Sequence, residues 1–216
     1  MIKKVPLILL FLCLATQGYS QESTTPFKKG LWLTGLDGSI SSTNNALASN
    51  NSNNNNFNTA YGFKISSGKI FKDRWTAGLI LAADRSSSDG IFNRQTESIF
   101  IGPSIRHFFS KAPQGSLYLE IAPGYVRFFE KSELRSTFTR TSESVDGNGF
   151  GLAMRFGYAH LVNESVIFNF GMNITNFWIW ADRTQLPSNT TTQEDLLLGS
   201  IAFNFGFSVL LKKFFF

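Results

Sequence analysis

Acid–base chemistry in this chain would have to run through His107 and His160, the only two histidines in 216 residues. A Ser–His–acid site needs its three groups converging within hydrogen-bond reach. Both histidines instead fall near the same ends of two predicted strands, and by parity both face outward beside aromatics. None of the long polar connections contains a histidine. Metal-ligand spacing, a phosphate loop and a dinucleotide fingerprint are all missing from the sequence. These residues lead to the expectation of no catalytic centre, no metal and no cofactor.

The other side chains able to do chemistry are charges predicted to face inward: Lys64, Arg106, Glu120 and Arg155. A lone buried charge is expensive, so these must be paired. They read as a structural plug of ion pairs rather than a selectivity filter.

The elements that hold them are strands, and the last one shows the pattern most plainly. Ile201, Phe203, Phe205, Phe207, Val209 and Leu211 alternate with Ala202, Asn204, Gly206 and Ser208; only Leu210 breaks the sequence. Successive strand side chains point to opposite faces. This strand therefore has an oily face and a small, polar one, which suits lipid outside and a crowded interior. Eight such segments are predicted, at about 30–40, 58–71, 75–85, 95–109, 116–129, 146–161, 165–179 and 196–211. The first is the weakest, because Leu31 and Leu33 share a face with Asp37. In strands seven and eight, Phe168, Phe170, Met172, Phe203, Phe205 and Phe207 are expected to face lipid.

Connections after strands two, four and six are short. Those after one, three, five and seven are predicted long and polar: 41–57, 86–94, 130–145 and 180–195. No apolar run in the body of the chain is long enough for a membrane helix. A membrane protein of this kind must close its sheet, because every backbone group in lipid needs an internal partner. The fold class is thus all-β, a closed eight-stranded antiparallel up-and-down transmembrane barrel with strands one and eight paired near Leu33 and Phe205. Its interior is wide enough only for side chains, which disfavours a general porin. A hairpin centred on Pro113 sets Pro103 opposite Pro123 and Arg106 opposite Glu120, with Arg155 in reach of the same carboxylate.

Aromatics fall at both predicted membrane edges. Phe71, Trp75, Phe108, Phe109 and the terminal Phe214, Phe215 and Phe216 mark one; Phe128, Phe129, Phe177, Trp178 and Trp180 mark the other. Interfacial girdles explain both sets. Trp178 and Trp180 would also serve a sugar- or hydrophobe-binding platform. The Asn-rich run from Asn44 to Asn58 is a solvated polar loop or a partner-binding tip.

At the other end, Lys3 and Lys4 precede an apolar core from Val5 to Ala15 and a small-residue site at Gly18 and Ser20. This is a secretory signal peptide over 1–20, too short to span a bilayer, leaving 21–216 as one barrel domain. Cys13 would be removed with it, so the mature chain has neither disulfides nor a thiolate site. Loss of Lys3 and Lys4 lowers the net charge from +5 to +3. The remaining cations are scattered, which argues against nucleic acid.

The chain resembles the small eight-stranded Gram-negative outer-membrane barrels, the OmpX-like and OmpA-barrel-like group. The resemblance rests on Tyr61-Gly62-Phe63-Lys64 running through a tight turn into Trp75-Thr76-Ala77-Gly78-Leu79, on Ile101-Gly102-Pro103 through Arg106 to Phe109, and on the aromatic end. It implies outer-membrane localisation with both termini periplasmic, contact with membrane lipid and lipopolysaccharide, and handling by the barrel-assembly machinery. Phe214, Phe215 and Phe216 are then the assembly signal, although Lys212 and Lys213 interrupt the alternation before them. The expected function is a non-porin surface barrel with a structural, adhesive or partner-binding role. The rivals are a lipid-modifying outer-membrane enzyme and, more weakly, a secreted soluble barrel for a small apolar ligand.

Overall fold

In the computed structural model, residues 25–46, 55–89, 92–135 and 140–213 are described. The expected signal peptide with Cys13 and the terminal Phe214, Phe215 and Phe216 lie outside them. Eight antiparallel strands follow one another: β1 (Trp32–Ala46), β2 (Asn55–Lys72), β3 (Trp75–Asp89), β4 (Phe92–Phe108), β5 (Gly115–Arg135), β6 (Arg140–Leu161), β7 (Val166–Leu186) and β8 (Thr190–Leu211). Each pairs with its neighbour in sequence, and β8 returns to β1 to close the barrel.

The register can be walked on outward residues alone. Phe207 faces Leu36, then Ile65, Leu81, Ile101, Tyr125, Phe150, Trp178 and finally Leu197, back on β8 ten residues from the start. That stagger tilts the strands and leaves an interior that side chains fill. Every residue on the walk is a large exposed hydrophobe, from Leu81 at 41% to Leu197 at 68%. Such a continuous apolar girdle far exceeds what a soluble surface tolerates and belongs in lipid.

Inward residues form layers. At the end where β1 begins and β8 finishes (the terminal end), Leu33, Ile70, Phe108, Tyr118, Ile167 and Leu210 make an apolar plug. The segment before β1 completes it. Phe27 is fully buried and stacks on Phe108 with ring centroids 3.6 Å apart. Its carbonyl accepts from Arg74 N at 2.8 Å, and Gly30 N donates to the Ile70 carbonyl at 2.8 Å. In the other half, Ile80, Phe100, Val126, Phe128, Phe177 and Ile179 form a second apolar layer.

Three expectations can be set against the structure, and two of them need correction. First, the long connections are mostly ladder. Pairing in β7–β8 runs to Gln185 with Thr190, and in β5–β6 to Arg135 with Arg140. β1 and β2 likewise stay paired out to Ala46 and Asn55, inside the Asn-rich run. Beyond the lipid the hairpins are polar on both faces, so the oily–polar alternation vanishes while the strand continues; Thr184 and Thr190 to Thr192 suit the pleat. Second, Leu33 and Asp37 do share the inner face, at 5% and 3% exposure. They sit in different layers, and Leu36 and Ile40 hold the lipid side. Third, Leu33 faces Leu210 and Phe205 faces Gly38 across the closing seam.

Candidate functional site

Between the two apolar layers lies a band of five charged residues. Cross-strand pairing assembles it: Asp37 opposes Lys64, Arg106 opposes Glu120, and Glu120 opposes Arg155. Glu120 is the hub. Arg106 donates Nε (3.0 Å) and Nη2 (2.8 Å) to its Oε1, and Lys64 Nζ donates to Oε2 at 2.8 Å. Arg155 lies 3.9 Å from the same carboxylate, but its shorter contact, 2.6 Å, is to Asp37 Oδ2. Lys64 also reaches Asp37 at 3.4 Å, so it bridges the two acids. The inward orientation of Lys64, Arg106, Glu120 and Arg155 and the Arg106–Glu120 register are those expected; Arg155's first partner is not.

Asp37 is the residue sequence reasoning missed. Its signal was present as the apparent flaw in the first strand, an acid on the face of Leu33. Room for it comes from Gly206 directly opposite, where a Cβ would lie 2.5 Å from the Asp37 carboxylate. Below the band, the Tyr118 ring lies 4.9 Å from the Arg106 guanidinium carbon and 5.7 Å from that of Arg155. Three cations and two acids thus hold one another, capped by an aromatic face. The arrangement cross-braces five strands; its groups are aimed chiefly at each other, beside two small voids of about 20 and 30 Å³.

A second set of charges lies toward the opposite mouth, here the hairpin end. Arg183 Nε and Nη2 donate to the Glu194 carboxylate at 2.9 and 2.7 Å, and its Nη1 lies 2.8 Å from Glu143. Nearby, Arg94 Nη2 donates to Glu130 at 2.5 Å. The hydrogen bond from Arg183 holds the Glu143 carboxyl below the usual carboxylate range. The same two carboxylates, Glu194 foremost, raise Arg183 above its ordinary value.

The outer face carries most of the other predicted residues. Phe170, Met172, Phe203, Phe205 and Phe207 are 40–56% exposed, and half-exposed Phe168 packs beside Phe207 at 5.2 Å. Phe71, Phe109, Trp178 and Trp180 are also exposed and outward, and Trp75 stands on the Phe109 side next to His107. Phe108 is a correction. It is fully buried in the terminal-end plug, because consecutive strand residues cannot share a face and Phe109 takes the outer one. Phe128 and Phe177 go inward for the same reason, at 1% and 7% exposure. His107 stacks near Trp75 at 4.3 Å and His160 beside Tyr158 at 6.4 Å, both on the outer wall at the terminal end. Among the described residues, no group of three or more His, Cys, Asp or Glu is set to hold a metal.

The backbone and its packing can be set beside known structures. OprG of Pseudomonas aeruginosa superposes over 88% of this chain and 99% of its own, with TM-score 0.53 and 16% identity. A major outer membrane protein of Thermus thermophilus does so over 84% and 99%, with TM-score 0.52 and 8% identity. The fold is that of the small outer-membrane barrels. No protein-family model and no curated protein matches the sequence. At such low identity the likeness speaks for the fold and leaves the activity to the residues.

Proposed function

We propose that this chain is a non-catalytic outer-membrane barrel, termini in the periplasm, that has no through-channel and works through the hairpins it raises outside. The observation that carries this reading is the filled interior. Phe27 and Phe108, then the Asp37–Lys64–Arg106–Glu120–Arg155 band, then Phe100, Phe128 and Phe177 close the lumen in three successive layers. What remains available to a partner is the hairpin end. From Trp178, β7 continues eight residues to Leu186, roughly 25 Å at about 3.3 Å per residue. Outward polar groups there include Asp146, Asp182 and Asp195. The orientation follows from the short turns lying with the termini and the long hairpins opposite. His107 and His160 then sit on the periplasmic side, away from lipopolysaccharide, which disfavours lipid A chemistry. Biogenesis through the barrel-assembly machinery, with Phe214, Phe215 and Phe216 as its signal, belongs to the same reading.

Four measurements test it. Planar-bilayer recordings should show no stable conductance, and heat-dependent migration should accompany the protein in the membrane pellet. A pull-down with the solubilised barrel should recover a surface partner that a version trimmed at the four hairpins loses. Lipid A whose mass spectrum changes when the protein is expressed would overturn the non-catalytic reading.

A further inference from the structure

The outer wall of β3–β5 is notched near the terminal end. Pro103 and Pro123 both lie on the outward face in a register that continues on either side of them; pairing is interrupted between Ile101–Tyr125 and Ile105–Ile121. Proline has no N–H to give a ladder, so facing prolines place both losses at one site. Beneath them the backbones close up: a Cβ on Gly102 would lie 2.8 Å from Gly124 Cα. The short proline rings, set among longer Ile105 and Leu119, leave an almost wholly apolar groove of about 480 Å³ that ends at Trp75 and His107. Its size falls within the roughly 300–1,000 Å³ of ordinary small-molecule sites.

The groove's mouth is cationic. Lys72 ends β2 opposite Trp75 and Arg74 lies in the turn that follows; Arg74 Nη1 donates to the Phe109 carbonyl at 3.1 Å, which fixes the guanidinium there. The turn's acid, Asp73, already accepts from Lys29 N at 2.8 Å. At the same end of the barrel are Lys28, Lys29 and Lys111, with Lys212 and Lys213 just past β8 and Glu164 between β6 and β7. An apolar trough meeting a fixed guanidinium and an exposed ammonium at the water line matches one chemistry: an acyl chain attached to a phosphate.

We propose that this groove is a binding site for an anionic phospholipid, with an acyl chain along Pro103, Ile105 and Pro123 and the headgroup phosphate on Arg74 and Lys72. The choice of phospholipid over lipid A rests on the orientation proposed above, which turns this rim toward the periplasmic leaflet. Trp75 and His107 form the shelf between the two parts.

The test uses the folded barrel in micelles, with phosphatidylglycerol and phosphatidylcholine of the same acyl chains supplied at equal mole fraction. Native mass spectra should show at least a five-fold excess of phosphatidylglycerol adducts. Lys72→Gln with Arg74→Gln should bring that ratio close to one, and Ile105→Trp, which fills the groove, should reduce both adducts. Heat-dependent migration checks that each variant folds; Lys72→Gln alone, at the exposed end of β2, should still halve the ratio. Equal adducts with the parent protein, or undiminished preference in the charge variants, overturn the site. Stronger retention of lipid A than of phosphatidylglycerol in direct competition overturns the assigned lipid. Because micelles impose no sidedness, preference for phosphatidylglycerol supports the site even where labelling of the termini from outside cells refutes the orientation.

Discussion

The molecule uses the same ion-pair chemistry twice, once in mid-barrel and once at the hairpin end, and the two sites differ in what water can do for them. In the mid-barrel band, the side chains of Asp37, Arg106, Glu120 and Arg155 are 2–4% exposed. At the hairpin end, the Arg183, Glu143 and Glu194 side chains are 25–27% exposed. Distances are nearly identical in the two places. What differs is the consequence of removing a partner: water rehydrates an abandoned charge at the hairpin end, whereas the mid-barrel has only protein to offer. Equal geometry therefore implies unequal energy.

The largest effect should come from the hub. Glu120→Ala leaves three cations facing Asp37 alone, and breaking a buried pair costs about 3–5 kcal/mol. Arg106→Ala removes one cation and leaves two cations with two acids, so it should cost clearly less. Urea titration of both variants in one detergent gives the comparison. Equal losses would show that the band is not governed by charge balance.

A charge on the other side of the same wall probes a third environment. Phe205 points to lipid at 42% exposure, opposite Gly38 and Phe170. Phe205→Arg has no acid to meet and should cost ~2–4 kcal/mol near the bilayer midplane. Unchanged stability in vesicles would contradict the lipid-facing assignment. Inside, Asp37→Asn should be milder still, about 1.5–3 kcal/mol, the range of a hydrogen bond to a charged group. Lys64 keeps Glu120, and Arg155 keeps its 3.9 Å approach to the same acid. A double-mutant cycle of Asp37 with Arg155 measures that coupling directly.

The band also shows what could be read in advance. Parity alone placed Lys64, Arg106, Glu120 and Arg155 inside, and the facing prolines aligned two of them. Two residues looked like errors in the pattern, Leu33 on β1 and Leu210 on β8. They face one another across the closing seam, in the apolar plug under the charges. Alternation records which face a residue takes but not which layer of the interior it enters, so Asp37 beside Leu33 read as noise. The hairpin-end cluster escaped for a different reason. Once the strands leave lipid both faces are polar, and no periodicity distinguishes inward Arg183 and Glu194 from outward Asp182 and Asp195.

The smallest effect belongs to that outer cluster, and it has a direction with pH. Glu143 is held below its ordinary value by the Arg183 hydrogen bond. A carboxyl whose folded value is depressed contributes stability that is fully present above its unfolded pKa. That contribution is lost as pH falls through the depressed folded value. The clasp should therefore be intact at neutral pH and weaken below about pH 4, the ordinary range of a glutamate. Partial exposure limits the loss to about 1 kcal/mol or less. Hydrogen exchange along 182–186 and 190–195 of the β7–β8 hairpin, compared at pH 6 and pH 3 after correction for intrinsic rates, should show faster local opening at the lower pH. Arg183→Met should remove that pH dependence while leaving exchange around Glu120 unchanged. Acid sensitivity that survives Arg183→Met would place the titrating group elsewhere and overturn the claim that the Arg183–Glu143 contact sets the acid response of the hairpin end.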